Sequence, residues 1–575
     1  MRVKLAKTAG FCMGVRRAME ILLEAMARQD GNIYTYGPLI HNPQVLKLLE
    51  LRGIRVVKRP DGLAPGTIVI RAHGIPPAER RAIEDAGLKV IDATCPRVLK
   101  VQRIIQTYAA KGYSTVIVGD IDHPEVKGLL GFAGGHGQVT GGVEEVEAVA
   151  DSDKLIVVAQ TTQDEALFEQ IVARIRELRS QARVFNTICD STHRRQAEIL
   201  SLAESVDAIV VVGGKNSGNT QRLAQISQAA GVATYHIETD DELNLADLAG
   251  LESVGVTAGA STPTWMIDRV VRRIEDVRSP GEGLAASLAR RLFHGLARSD
   301  LLLALGAAAV TYAATRLADL PPRLIYSAVA MLYVFAMHVL NHFTDQEAEQ
   351  LNDPVRAEFF ARHQTYFLTT GILSILAALG LAASLGVWSF LFLLIISILG
   401  MIYRITIVPA AMLRYVRISK LKDIPGSKTL FVAVAWAAVS SLLPPLAAGG
   451  TIAPPALFSF GYVFVLVYIW SATFDILDIQ SDRLLGRETV PVLIGEKRTI
   501  KLLQGLTIGA GAFLAAGAVA GVVPPVAYWL LISLLATRLY ISVFSRKTPI
   551  PRLVFETLVE ANFLLAAFLA WLAAA

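Results

Sequence analysis

The sequence predicts two parts of different class: three α/β units that each bring one cysteine to a shared metal centre, then an all-α polytopic membrane domain of about nine helices. Three observations carry this. The only three cysteines, Cys12, Cys95 and Cys189, lie 83 and 94 residues apart, each just beyond a short apolar run (VKLAKTAGF, KVIDAT, VFNTI). Residues 1–275 alternate β-branched runs with charged, helix-like stretches, the pattern of parallel α/β units. The charge balance breaks near residue 290, with 34 Lys+Arg against 35 Asp+Glu before it and 21 against 15 after it.

The cysteines come first because they set the chemistry. Three thiols cannot pair off as disulfides and no secretory signal precedes them, so a reduced compartment and a soft metal are expected. A lone buried cysteine is ordinarily a small core residue; three with no fourth elsewhere read better as ligands. Three ligands are one short of closing a zinc or cubane iron–sulfur site. In an iron–sulfur cluster, one iron would then be open to a substrate.

The expected strands include TIVIRA, STVIVGD, KLIVVAQ, DAIVVVGG and SVGVTAG. Ligands of such sheets collect beyond the carboxyl ends of the strands, and polar residues stand there. His41 follows GNIYTYGPLI, His73 follows TIVIRA, and His123 and Glu125 follow STVIVGDID. Thr161 and Thr162 follow KLIVVAQ, KNSGNTQRL follows DAIVVVGG, and Ser261 follows SVGVTAGA. The KNSGNT turn opens a helix whose free amides, with Ser217 and Asn219, suit phosphate oxygens, although Ser and Asn are also ordinary caps. Each histidine taken singly reads as structural, and Glu125 as a first-turn acid; their shared placement argues for one site.

These motifs resemble a known family. GFCMGVRRA, HNPQV, AHG, DATCPRV, HPEV, QTT, ICDST, KNSGNTQRL and GASTP occur in order, as in 4-hydroxy-3-methylbut-2-enyl diphosphate reductase, the last enzyme of the methylerythritol phosphate route to isoprenoids. The resemblance covers roughly residues 1–275 and implies an α/β trefoil of three units around a [4Fe-4S] cluster. It implies that Cys12, Cys95 and Cys189 hold the cluster. His41, His73, His123, Ser217, Gly218, Asn219 and Ser261 would bind the diphosphate. Thr161 would sit near the substrate hydroxyl and Glu125 would deliver the proton. A ferredoxin or flavodoxin would donate electrons. Gly218 departs from the family, where a second Ser is common, which removes one hydrogen bond to diphosphate.

Apolar runs long enough to cross about 30 Å of hydrocarbon recur beyond SPGEGLAAS. They are expected near 300–318, 324–341, 366–386, 388–407, 429–447, 456–477, 502–521, 524–543 and 553–573. Arg356, Arg414, Lys420, Lys428, Arg487, Arg498 and Arg546 fall in alternate loops, whereas the opposite loops hold little beyond Arg316 and Arg323. That bias places the first domain in the cytosol and the second in the cytoplasmic membrane. It also explains the net charge of +5 without a basic stripe for nucleic acid, which is not an expected partner. The expected domains are 1–278, a linker at 279–299 whose LARRLFHGLARS lies on the membrane surface, and 300–575.

Two acidic clusters interrupt the apolar pattern. Asn341, Asp345 and Glu349 are spaced by four, and Asp475, Asp478 and Asp482 by three and four, each set on one expected helix face. Carboxylates at the hydrocarbon edge are costly and suggest Mg²⁺ bridging to a diphosphate, or else ordinary interfacial charge. About nine spans with FDILDIQSDRLLGRETVPVLIG resemble the UbiA-type intramembrane prenyltransferases over roughly 290–575. That resemblance implies a Mg²⁺-dependent polyprenyl transfer. The first motif departs from the family: His342 stands where an Asp belongs and Glu349 replaces the last Asp, and His is a poor ligand for so hard a cation. Two further readings are a membrane domain serving as anchor and a first domain serving as an iron–sulfur sensor.

Overall fold

The computed structural model describes residues 1–28, 31–149, 152–277, 283–344, 346–403, 424–545 and 552–574. The chain divides into two units, Met1–Gly281 and Glu282–Ala575.

Twelve strands are described in the first unit. They are β1 (Arg2–Leu5), β2 (Asn32–Tyr36), β3 (Arg55–Val57), β4 (Gly66–Ile70), β5 (Lys89–Asp92) and β6 (Ser114–Val118). Then come β7 (Gly137–Thr140), β8 (Leu155–Ala159), β9 (Arg183–Phe185), β10 (Ala208–Val212), β11 (Ala233–Ile237) and β12 (Ser253–Ala258). They form three four-stranded sheets in the orders β1-β12-β10-β11, β3-β2-β4-β5 and β7-β6-β8-β9, with every pairing parallel. The chain closes on itself, because β1 pairs with β12 in the register Val3↔Val254.

The sequence of each strand matches its place. The inner strands β8 (LIVVA) and β10 (AIVVV) are buried at every residue, as a parallel sheet covered on both faces requires. Four of the six outer strands, β1 (RVKL), β3 (RVV), β5 (KVID) and β9 (RVF), carry Lys or Arg, which blunts a free edge against further pairing. Alternate residues of one strand feed two cores. Val116, Val118 and Val157 pack with Phe168 and Ile171, while Ile117 and Val158 pack with Val101, Ile105 and Leu129 on the other face. Each such aliphatic contributes about 1.5–3 kcal/mol by leaving water.

The second unit is helical. Seven of its helices are long and apolar enough to cross a membrane: Leu324–Thr344, Gln364–Ser384, Ser427–Ala447, Pro454–Leu477, Glu496–Val519, Val526–Ser545 and Arg552–Leu572. Against the expected nine or so, the described residues hold these seven, or eight if the pair Ala285–Arg298 and Leu301–Leu317, bent by 72°, forms one span. Leu301–Leu317 has 17 residues and Val387–Ile402 has 16. At 1.5 Å per residue neither alone reaches the roughly 30 Å of a hydrocarbon core. The basic loop around LRYVRISKLKD falls in 404–423, outside the described residues.

Close helix approach rests on small residues. A β-carbon on Gly517 would stand 2.4 Å from Phe458 Cε1, and one on Gly306 would stand 3.0 Å from Phe563 Cδ2. Buried hydroxyls and amides find partners across helices, as burial demands. Thr311 Oγ1 donates to Ser440 Oγ at 2.9 Å, Tyr462 and Ser533 share a 2.6 Å bond, and Asn562 Nδ2 donates to Thr537 Oγ1 at 2.8 Å.

Candidate active site

In the first unit the sheet position sorts the predicted residues. Cys12, Cys95 and Cys189 follow β1, β5 and β9, each an outer strand, whereas His41, His73, His123, Thr161, Ser217 and Ser261 follow β2, β4, β6, β8, β10 and β12, the inner pair of each sheet. One hydrogen bond joins the two sets in every unit. The amide of Cys12 donates to Ala260 O at 3.0 Å, that of Cys95 to Ala72 O at 2.9 Å, and that of Cys189 to Thr161 O at 2.9 Å. Each cysteine is thus tied to a carbonyl of, or adjacent to, a predicted substrate residue.

The cysteines also begin helices. Cys95 and Cys189 cap Pro96–Ala109 and Asp190–Ala203, and Arg16 N donates to Cys12 O at the start of Met13–Arg28. Free amides at these helix starts turn towards sulfur. Val15 N lies 3.5 Å from Cys12 Sγ, and the amides of Arg97 and Val98 favour the charged form of Cys95. Such donors favour thiolate, although burial raises the Cys95 thiol above its ordinary pKa. A β-carbon on Gly14 would stand 2.6 Å from Cys95 Sγ and 3.9 Å from Cys12 Sγ. The missing side chain leaves a cradle between sulfurs from two sheets. Three half-buried free thiols, amide donors and that cradle fit an iron–sulfur group held by three thiolates.

The histidines converge. His41 and His73 have ring centroids 4.5 Å apart, and His123 lies 5.7 and 5.5 Å from them. One nitrogen from each lies within 4.8 Å of the others, a spacing that would admit a metal ion. The surroundings favour an anion instead. Burial lowers the pKa values of all three, His123 to about 4; neighbouring imidazoles come next for His73 and His123, and Arg71 adds positive charge beside every one. Glu125 N donates to His123 Nδ1 at 3.2 Å, so the neutral ring carries its proton on Nε2. His41 Nε2, His73 Nδ1 and Asn219 Nδ2 are buried with no hydrogen-bond partner among the described residues. Buried polar atoms left open together mark a place for a polar ligand.

Glu125 is 2% exposed. Thr161 grips it twice: its amide donates to Oε1 at 2.7 Å and its hydroxyl to Oε2 at 2.8 Å. Burial outweighs these bonds and pushes the carboxyl up to about 7, within reach of a proton donor at neutral pH. Ser217 caps the helix Gly218–Ala229, and Ser261 Oγ donates to His41 O at 2.9 Å, joining two sheets. Gly218 faces His123, since a β-carbon there would stand 3.7 Å from His123 Cδ2 and 3.8 Å from His123 Nε2.

Two cations of the site escaped sequence reasoning. Arg71 is the penultimate residue of TIVIRA and directly precedes the AHG motif. Arg195 is buried and donates to Ala258 O at 2.8 Å and Gly10 O at 2.5 Å, and its charge acts on Cys12 and Cys189. A signal existed, because Arg195 shares the buried helix stripe of Thr192, Ile199 and Leu202. A charge on a core stripe is the exception worth noting.

The acidic clusters of the second unit fare differently. Asp475 Oδ1 lies 3.1 Å from Lys428 Nζ, and its Oδ2 accepts from Thr429 Oγ1 at 2.6 Å. Asp478 pairs with Arg552 at 2.8 Å. Both oxygens of Asp482 are buried with no hydrogen-bond partner among the described residues. Of the expected face of Asn341, Asp345 and Glu349, Asp345 lies outside the described residues, while Asn341 stands on Leu324–Thr344 and Glu349 on Gln346–Asn352. Glu349 Oε2 stands 3.1 Å from His342 Nδ1, whose Nε2 stands 2.7 Å from Asp300 Oδ2, and Arg356 takes the other Asp300 oxygen at 2.6 Å. A histidine in an acid's place has drawn carboxylates to itself.

Comparison with known proteins divides the chain the same way. The LytB protein family matches residues 3–275 and the UbiA prenyltransferase family matches residues 301–572. A 4-hydroxy-3-methylbut-2-enyl diphosphate reductase of Geobacter sulfurreducens is 45% identical over 283 residues, which span 49% of this chain and 100% of that protein. The enzyme of the same name from Aquifex aeolicus is 42% identical over 276 residues, 48% of this chain and 96% of its own. A solved structure of a UbiA homolog from Archaeoglobus fulgidus bound to GPP and Mg²⁺ is 16% identical, spans 48% of this chain and 98% of its own, and has a TM-score of 0.36.

Proposed function

This chain belongs to the LytB protein family through residues 3–275 and carries a UbiA prenyltransferase family domain at 301–572, and on that premise we propose that it is a 4-hydroxy-3-methylbut-2-enyl diphosphate reductase joined to a membrane prenyltransferase. One observation carries the first half: Glu125, gripped by the same Thr161 whose carbonyl holds Cys189, stands in a unit where three imidazoles converge.

Cys12, Cys95 and Cys189 would hold a [4Fe-4S] cluster, which when bound supplies electrons and an open metal position for the substrate hydroxyl. The chain's own residues do the rest. His41, His73, His123, Ser217, Asn219, Ser261 and the backbone at Gly218 hold the diphosphate. Thr161 orients the hydroxyl, and Glu125 supplies the proton that lets it leave as water. Two electrons and two protons convert the alcohol to isopentenyl or dimethylallyl diphosphate plus water. Anaerobic purification with iron and sulfide quantitation, then an assay with the five-carbon hydroxylated diphosphate, tests this. A cluster-loaded chain that releases no water or five-carbon olefin diphosphate refutes it.

Gly218→Ser offers a finer check. The new β-carbon meets His123 at ordinary contact distance, and the hydroxyl adds a donor to a charged ligand, worth about 1.5–3 kcal/mol at full strength. KM for the diphosphate is expected to fall about 10-fold with kcat little changed.

For the second half we infer a Mg²⁺-dependent polyprenyl transfer, with Asp482 and its neighbours Asp475 and Asp478 binding the cation–diphosphate. The buried carboxylate of Asp482, without a hydrogen-bond partner among the described residues, supports this reading. The pairing of Glu349 with His342 weighs against equal metal binding at the first cluster, Asn341, Asp345 and Glu349. The loop charges support a cytosolic reductase on the cytoplasmic membrane. In lipid vesicles, Asp475→Ala should abolish Mg²⁺-dependent transfer while leaving the reductase unaffected. No transfer by the unaltered chain across a broad donor and acceptor panel would make this half an anchor.

A further inference from the structure

We propose that the starts of the three cysteine-bearing helices form the docking surface for a small acidic electron-carrier protein; this rests on the reductase reading above. Helix amino termini ordinarily favour acids. Here the seven residues after each cysteine carry Arg16 and Arg17, then Arg97 and Lys100, then Arg194 and Arg195, against the single acid Asp190. Residues 1–290 as a whole are balanced, at 34 basic against 35 acidic. The excess is therefore a local patch, placed against the preference of the helices that bear it.

The six cations divide by role. Three knit the helix starts together: Arg17 Nη1 donates to Thr94 O at 3.1 Å, Arg97 pairs with Asp190, and Arg195 is buried across two carbonyls. Because Arg17 reaches the loop before Cys95 and Arg97 reaches the residue after Cys189, the three starts make one continuous surface. Arg16, Lys100 and Arg194 remain exposed on it. Met13, next to Cys12, is 57% exposed, and Pro96, next to Cys95, is also exposed. Exposed apolar residues beside exposed cations suit a short-lived complex steered by charge, in which the charged groups set encounter more than affinity. The cysteines beneath are only half-buried, so electrons have a short path inward. Each turnover would draw two electrons, oxidising two one-electron carriers, while two protons and the substrate hydroxyl leave as water and product.

The test uses the full cluster-loaded chain in nanodiscs, with Lys100→Glu/Arg194→Glu as the variant and a reduced acidic ferredoxin as the carrier. The variant is expected to raise KM for ferredoxin about 10-fold, weaken binding of oxidised ferredoxin by a similar factor, and flatten the salt dependence of kcat/KM. Iron content, KM for the diphosphate and turnover with reduced methyl viologen should not change. Unaltered ferredoxin KM and binding overturn the proposal. So does an equal loss with methyl viologen, a rise in KM for the diphosphate, or a variant effect only on binding to anionic vesicles. If methyl viologen drives no dehydroxylation by the unaltered chain, the reductase reading fails, while ferredoxin binding still decides the docking surface.

Discussion

Glu125→Gln is expected to keep the iron and sulfide content of the chain and lower turnover of the hydroxylated diphosphate by roughly 10²–10⁴-fold, the usual contribution of a positioned proton donor. The amide retains an oxygen for the Thr161 N–H that now donates to Oε1 at 2.7 Å, so the pocket keeps its shape and loses only its proton. Single-turnover rates on chains of matched iron content check this, and an undiminished rate sinks the assignment. The carboxyl at about 7 also sets a pH profile. The protonated form is the competent one, so the rate should fall as pH rises through about 7, and the variant should lose that limb.

Stability moves with the same group, and the sign is definite. The folded pKa, about 7, lies above the ordinary value of 4.5, so the folded state binds the proton more tightly. Its stabilising contribution is complete below about 4.5 and is lost as pH rises through about 7, a change of about 3 kcal/mol. Urea unfolding of the unaltered chain and of Glu125→Gln across that window should differ in slope by this amount.

The second large effect concerns the sulfur cradle. Cys95→Ser removes one of three ligands and should reduce bound iron and sulfide to a small residue, with loss of visible absorption. Gly14→Ala is expected to do much the same without touching a ligand. In an ordinary helix that change stabilises by roughly 1 kcal/mol. Here the added carbon would stand 2.6 Å from Cys95 Sγ and 3.1 Å from Cys95 Cβ, so either the sulfur or the helix must move. A Gly14→Ala chain with full iron content would show that the cysteines are not held as described.

The limits of sequence reading appear at particular residues. Inner strands such as LIVVA and AIVVV announce themselves, because burial on both faces demands unbroken β-branched runs. The residues just past them, His41, His73, His123 and Ser261, were legible for the same reason, since the end of a parallel strand is where a ligand can reach. Span length was harder. Val387–Ile402 stops at 16 residues inside a run that hydropathy alone extends to a full crossing.

By itself the sequence determined what depends on near neighbours: the strand runs, the helix starts, and the three thiols one short of a closed metal site. Only the tertiary structure decided the partnerships between distant residues. It set Gly14 against Cys95, Glu125 under Thr161, Arg195 across Gly10 and Ala258, and His342 against Asp300. Such contacts join segments tens to hundreds of residues apart, and no local periodicity encodes which of them meet. A buried charge takes its partner from whatever the packed sheets and helices bring within a hydrogen bond's length.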